Sequence, residues 1–104
     1  MDLDQNTADI WAEALKALAH PTRLQIVGAL LEGTRCVTDM QDILPARQAN
    51  VSQHLAVLRY ARLVDFNQSG SQRCYYLRHP ELIKGILQQL SLCLAQPGVS
   101  KNNY

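Results

Sequence analysis

The chain's reactive residues are few and separate. Three cysteines stand at Cys36, Cys74 and Cys93, and three histidines at His20, His54 and His79. An odd number of scattered cysteines does not make a disulfide framework, so thiol or soft-metal chemistry is their reactive reading. Cys36 precedes a predicted helix, where N-terminal amides favour the thiolate. It is the preferred candidate reactive thiol. Cys93 falls on an apolar helical stripe and is expected to pack in the core. Cys74 lies in a tyrosine-rich strand and is expected to be packed or partly exposed. A dithiol pairing of Cys36 with Cys93 is the pairing left open. His20 and His79 each precede a proline and read as structural or capping groups. There is no glycine-rich phosphate loop, no paired acid–base carboxylates and no motif-linked Ser-His-Asp set, so no enzyme is expected.

A second group is larger and points elsewhere. Between Arg47 and Tyr60 the apolar residues Val51, Leu55 and Leu58 repeat at helical spacing. The opposite side of that helix carries Ala49, Ser52, Gln53, Ala56 and Tyr60, with Gln48, Asn50, His54 and Arg59 between the two faces. Solvated helix faces are ordinarily rich in Lys and Glu, and this one has neither. Gln pairs bidentately with adenine, Ser bonds several base edges, and Ala admits close approach and meets thymine methyls. The segment therefore reads as a helix for the major groove of DNA. Arg47, Arg59, Arg62 and Arg73 fall in the stretch from 47 to 73, where the only acid is Asp65. Arginines of this kind suit phosphates, which position without specifying. The net charge of +1 argues against indiscriminate coating of DNA and allows a local basic patch.

Positioning such a helix takes a scaffold. At 104 residues the chain fits one domain spanning 1–104, with loose ends at 1–7 and 97–104. A first helix is predicted from about Ala8 to the His20-Pro21 break, capped by Thr7 or Asp9, with Trp11, Leu15 and Leu18 on one stripe. A second runs Thr22–Leu31 and stops at Gly33. A third covers Val37–Ile43, with Val37, Met40, Ile43 and Leu44 inward. The fourth is Arg47–Tyr60. Strands follow at Leu63–Asn67 and Arg73–Leu77, joined by a polar turn centred on Gly70. Arg73 at this tip suits a phosphate or minor-groove contact. A last helix runs from Pro80 to about Ala95, with an apolar stripe wider than one core contact needs. The order α-α-α-α-β-β-α is mainly helical with a β-hairpin, and it reads as a winged helix-turn-helix. No apolar run approaches the roughly 20 residues needed to span a membrane, and no signal peptide is read at the start, so a cytoplasmic protein is expected.

The segments "LAHPTRLQIV" at 18–27 and "VSQHLAVLR" at 51–59 carry a resemblance to the ArsR/SmtB family of bacterial repressors. With "CVTDMQDIL" and "CYYL" it covers about residues 11–94. The resemblance implies a homodimer packed through the first and last helices. It implies a double-stranded, palindromic operator, blocked until an inducer or a thiol modification releases the protein. It places Gln48, Asn50, Ser52, Gln53 and His54 at the DNA, with helix packing the other reading of His54. Family sensing sites match only partly. Cys36-Val37-Thr38 has one thiol where two are usual, so a metal or arsenite site needs a further thiol. His79 and Glu81 fall short of the paired carboxylate and histidine set on the last helix. No resident cofactor is expected, and a metal or metalloid inducer stays open. The remaining alternative is a winged-helix module that binds protein instead of DNA.

Overall fold

The computed structural model describes residues 1–44 and 48–94. Helix α1 runs Gln5–Leu18, α2 Pro21–Leu30, α3 Val37–Ile43, α4 Gln48–Tyr60 and α5 Pro80–Cys93. Strand β1 is Arg35–Cys36, β2 Val64–Ser69 and β3 Gln72–Leu77. The strands form one antiparallel sheet in the order β1-β3-β2, so β3 is central. The expected two-stranded hairpin is thus a three-stranded sheet.

Helix α1 begins three residues earlier than the sequence suggested, at Gln5 instead of Ala8. The Asp4 carboxylate accepts the Thr7 N–H at 2.8 Å and caps the first turn. That bond holds the Asp4 carboxyl below its ordinary range. His20 separates α1 from α2, and its Nδ1 accepts the Thr22 N–H at 3.1 Å. Pro21 sits in the first turn of α2, where a missing N–H costs nothing. Arg23 ties the two helices together by donating from Nε to the Ala17 carbonyl at the end of α1.

The core is built from every element that borders α4. Ile26, Val27, Met40, Val51, Leu55 and Leu58 are fully buried, with Val64 and Ile83 beside them. The predicted stripe Val51–Leu55–Leu58 is the inward face of α4. In α3 only Met40 is fully buried, and Ile43 is exposed, contrary to expectation. Residues 37, 40 and 44 are spaced to share one helix face, and Ile43 falls off it.

Helix α4 ends in a reciprocal pair of backbone bonds, Leu63 N–H to the Leu58 carbonyl at 3.0 Å and Arg62 N–H to the Arg59 carbonyl at 2.9 Å. This ending needs a left-handed residue, and Arg62 takes it at φ 65°. The chain then enters β2 directly. The hairpin pairs as far as Ser69 opposite Gln72, leaving a two-residue turn of Gly70 and Ser71. Gly70 supplies the positive φ, 62°, that the first central position of such a turn demands.

Candidate nucleic-acid interface

Helices α3 and α4 make the helix-turn-helix, and the β2–β3 hairpin is the wing. On α4, Asn50, Ser52, Gln53 and Ala56 are exposed, and Tyr60 protrudes with 80 % of its surface free. Ser52, Ala56, Arg59 and Tyr60 form one wall of a cleft of about 940 Å³. Gln68, Ser71, Gln72 and Arg73 of the wing line the other side, and Thr38 of α3 lies at its edge. The cleft therefore joins the predicted reading face to the wing. Of the other predicted residues, Arg47 lies outside the described residues, and Gln48 is described only as the first residue of α4.

Two predicted phosphate contacts are held by one aromatic ring. The Arg59 guanidinium lies 4.6 Å from the centre of the Phe66 ring and that of Arg73 lies 4.4 Å from it. Both cations are attracted to the ring's electron-rich π system. Phe66 in turn packs on Tyr75 of β3, with ring centres 5.3 Å apart. The platform brings the two arginines together as one basic edge. Its charge is partly offset, because Arg59 Nε also donates to Asp65 Oδ1 at 3.0 Å. The Arg59 bond first, and the Phe66 N–H second, hold the Asp65 carboxyl below its ordinary range. Arg73 has no carboxylate partner among the described residues.

His54 stands apart from this face. It is half-buried against α2, where Arg23 Nη1 lies 3.1 Å from its Nδ1 and the His20 ring 4.4 Å from its own. An arginine N–H can only donate, so His54 Nδ1 accepts and the ring proton sits on Nε2. Burial, then the neighbouring His20 and Arg23, push the His54 pKa down.

The thiols also differ from expectation. Cys36 and Cys74 form a disulfide, so neither the open pairing with Cys93 nor simple packing of Cys74 is what the structure holds. The reason is the strand β1, which sets Cys36 directly opposite Cys74. Cys93 is free and exposed on α5, not packed in the core. Its apolar stripe faces outward beside Leu82, Leu90 and Leu94 in a shallow apolar patch. His79 precedes α5 without a side-chain capping bond, and Glu81 lies in its first turn. No cluster of three or more His, Cys, Asp or Glu suited to a metal ion occurs among the described residues.

The Phe66 platform was not anticipated, nor was Arg23 as the packing partner of His54. Phe66 lies in a strand whose alternation marks it only as half-buried, and nothing local signals two arginines converging on it. Arg23 and His54 are 31 residues apart and meet only through helix packing.

The sequence profile described as "Bacterial regulatory protein, arsR family" matches residues 20–65, from the start of α2 into β2. The HTH-type transcriptional repressor SmtB of Mycobacterium tuberculosis is 39 % identical over 83 residues, which is 80 % of this chain and 62 % of that protein. The chain thus spans less than two thirds of that relative. The structure of HlyU from Vibrio cholerae N16961 superposes with a TM-score of 0.75 at 32 % identity, covering 90 % of this chain and all of that one. The solution structure of Mb0332 from Mycobacterium bovis superposes at 0.70 with 25 % identity, covering 91 % of this chain and 96 % of that one. It is described as a homodimeric winged helix-turn-helix DNA-binding domain. Profile, relatives and fold agree, and the chain belongs to the ArsR family of bacterial regulatory proteins.

Proposed function

We propose that this chain is a sequence-specific DNA-binding repressor that acts as a homodimer in the cytoplasm. The observation that carries this reading is the cleft in which an acid-free helix face, with Ser52 and Ala56, meets the Arg59–Phe66–Arg73 platform. Helix α4 enters the major groove. Ser52 and Gln53 read base edges, with Gln48 and Asn50 at the start of the helix. Arg47, Arg59 and Arg73 meet phosphates and fix the register. His54 acts from behind, by holding α4 against α2 through Arg23.

The dimer forms through the apolar surfaces of α1 and α5. Trp11 and Leu15 on α1, and Leu82, Leu90 and Leu92 on α5, are all more than two-fifths exposed. A 104-residue domain has little core to spare for such exposure. Two-fold symmetry sets two recognition helices against two half-sites, which makes the operator a palindrome. Release follows when an inducer binds or a thiol changes its chemical state.

Titration of the region upstream of the protein's own gene, across a salt series, tests the reading. Binding that prefers this sequence over scrambled DNA is expected. Gln53→Ala should lose about 1–3 kcal/mol of that preference with dimerisation unchanged. Equal affinity for scrambled DNA would overturn sequence reading, and an unaltered Gln53→Ala would remove Gln53 from it.

A further inference from the structure

We propose that Cys36 and Cys74 are a redox-active pair that clamps the wing to the helix-turn-helix, so that closing the bond tightens DNA binding and opening it loosens it. The part about DNA rests on the repressor reading above.

The bond spans 38 residues of sequence and joins two parts of the proposed DNA surface. Cys36 ends β1 and is the residue before α3. Cys74 follows Gln72 and Arg73, which line the cleft. Beside the disulfide runs a second tie, Thr38 Oγ1 to Gln72 Oε1 at 3.0 Å. The base of the wing is anchored by the buried Val64, Tyr75 and Leu77, but its exposed outer part, residues 67–73, has few other ties to this side. Strand β1 meets β3 through only two residue pairs, Arg35–Tyr75 and Cys36–Cys74, whereas β2 meets it through six. The outer part of the hairpin can therefore lift away from β1 and α3 and stay paired within itself, a local opening well short of unfolding. The disulfide is placed to forbid that opening. Both cysteines are half-buried, within reach of small reagents. A cytoplasmic disulfide is ordinarily transient and sensing, not structural.

The chemistry needs a hydroperoxide as oxidant. One thiolate attacks a peroxide oxygen, the O–O bond breaks, and a sulfenic acid forms as hydroxide leaves. The second thiolate attacks that sulfur, the S–S bond forms, and a second hydroxide leaves. Two thiols lose two electrons and two protons, and hydrogen peroxide becomes two waters. A dithiol reductant reverses the step by exchange. With the clamp closed, Gln72 and Arg73 are already placed against α3 and less must be ordered on binding, so the oxidised protein should bind about three- to tenfold tighter.

The test compares the full chain with its Cys36→Ser, Cys74→Ser and Cys93→Ser variants, each treated with hydrogen peroxide or with dithiothreitol. Peptide mass mapping should find a 36–74 link in the peroxide-treated parent and in Cys93→Ser. Amide exchange across residues 64–77 should slow in those two samples and not in the other variants. Operator affinity should rise in the same two, while Cys36→Ser and Cys74→Ser stay at the reduced value. No 36–74 link, or a link without slowed exchange, overturns the clamp. A link with slowed exchange and unchanged affinity overturns its connection to DNA. A link with slowed exchange in a protein that shows no sequence-preferring binding in either state supports the clamp and overturns the repressor reading instead.

Discussion

Arg59 and Asp65 face each other across the seam between α4 and β2, with Nε 3.0 Å from Oδ1. Both side chains are substantially exposed, so the pair adds little to stability. In the proposed DNA interface its effect is on the local field, because Asp65 offsets one of the two charges of the basic platform. Asp65→Asn should therefore raise DNA affinity several-fold at low salt and steepen the salt dependence by about one phosphate contact. Anisotropy titrations across a salt series measure both. A fall in affinity would mean that Asp65 acts by placing Arg59 and not by offsetting its charge.

Arg62 holds a left-handed conformation that costs an ordinary side chain about 1 kcal/mol. Arg62→Gly should raise the unfolding free energy by about 0.5–1 kcal/mol, seen as a higher melting temperature. The same change should weaken DNA binding, because an arginine beside α4 suits a phosphate. A gain in stability with affinity unchanged would assign Arg62 no part in binding.

The burial of His54, with His20 and Arg23 beside it, makes stability depend on pH. The folded protein holds the His54 pKa below its ordinary 6.5, so the unfolded chain takes up a proton first as pH falls. Stability is complete above about pH 6.5 and declines below it, until the folded-state histidine also protonates. Denaturant midpoints should drop between pH 7 and pH 5.5 in the parent protein. His54→Gln keeps a partner for Arg23 without a titrating ring, and its midpoints should drop less. An identical slope in both proteins would place the acid sensitivity elsewhere.

The exposed leucines of α5 make a further test. Leu90 is 41 % exposed in the single chain, so Leu90→Glu should leave the helical circular dichroism intact. Sedimentation should show the parent as a dimer and the variant shifted toward monomer. Retained dimerisation would move the interface away from this patch.

These particulars also show which parts of the molecule were legible beforehand. The stripe Val51–Leu55–Leu58 was readable because helical periodicity is a local signal, and all three residues are fully buried. The Gly70 turn was readable because positive φ selects glycine. The start of α1 was misplaced because Gln5, Asn6 and Thr7 are polar, and the cap that begins the helix is a single carboxylate ahead of them. Strand β1 was missed because two residues carry no periodicity. With β1 went the partner of Cys36, which no spacing of three cysteines could reveal. The polar, acid-free face proposed to read DNA was legible as a composition, while the Phe66 ring beside Arg59 and Arg73 depends on strand register.

Cys36 belongs to two structures at once, the end of β1 and the threshold of α3. Because β1 lies against β3, the stretch before α3 and the wing share one docking edge, and an exchange of sequence on one side alone alters the fit of the other. Transplanting α3 and α4 from a relative would import a foreign docking edge for the wing. Chimeras that change target preference should therefore exchange the whole stretch from Arg35 to Leu77. Swaps confined to the two helices should yield hybrids in which the hairpin sits wrongly.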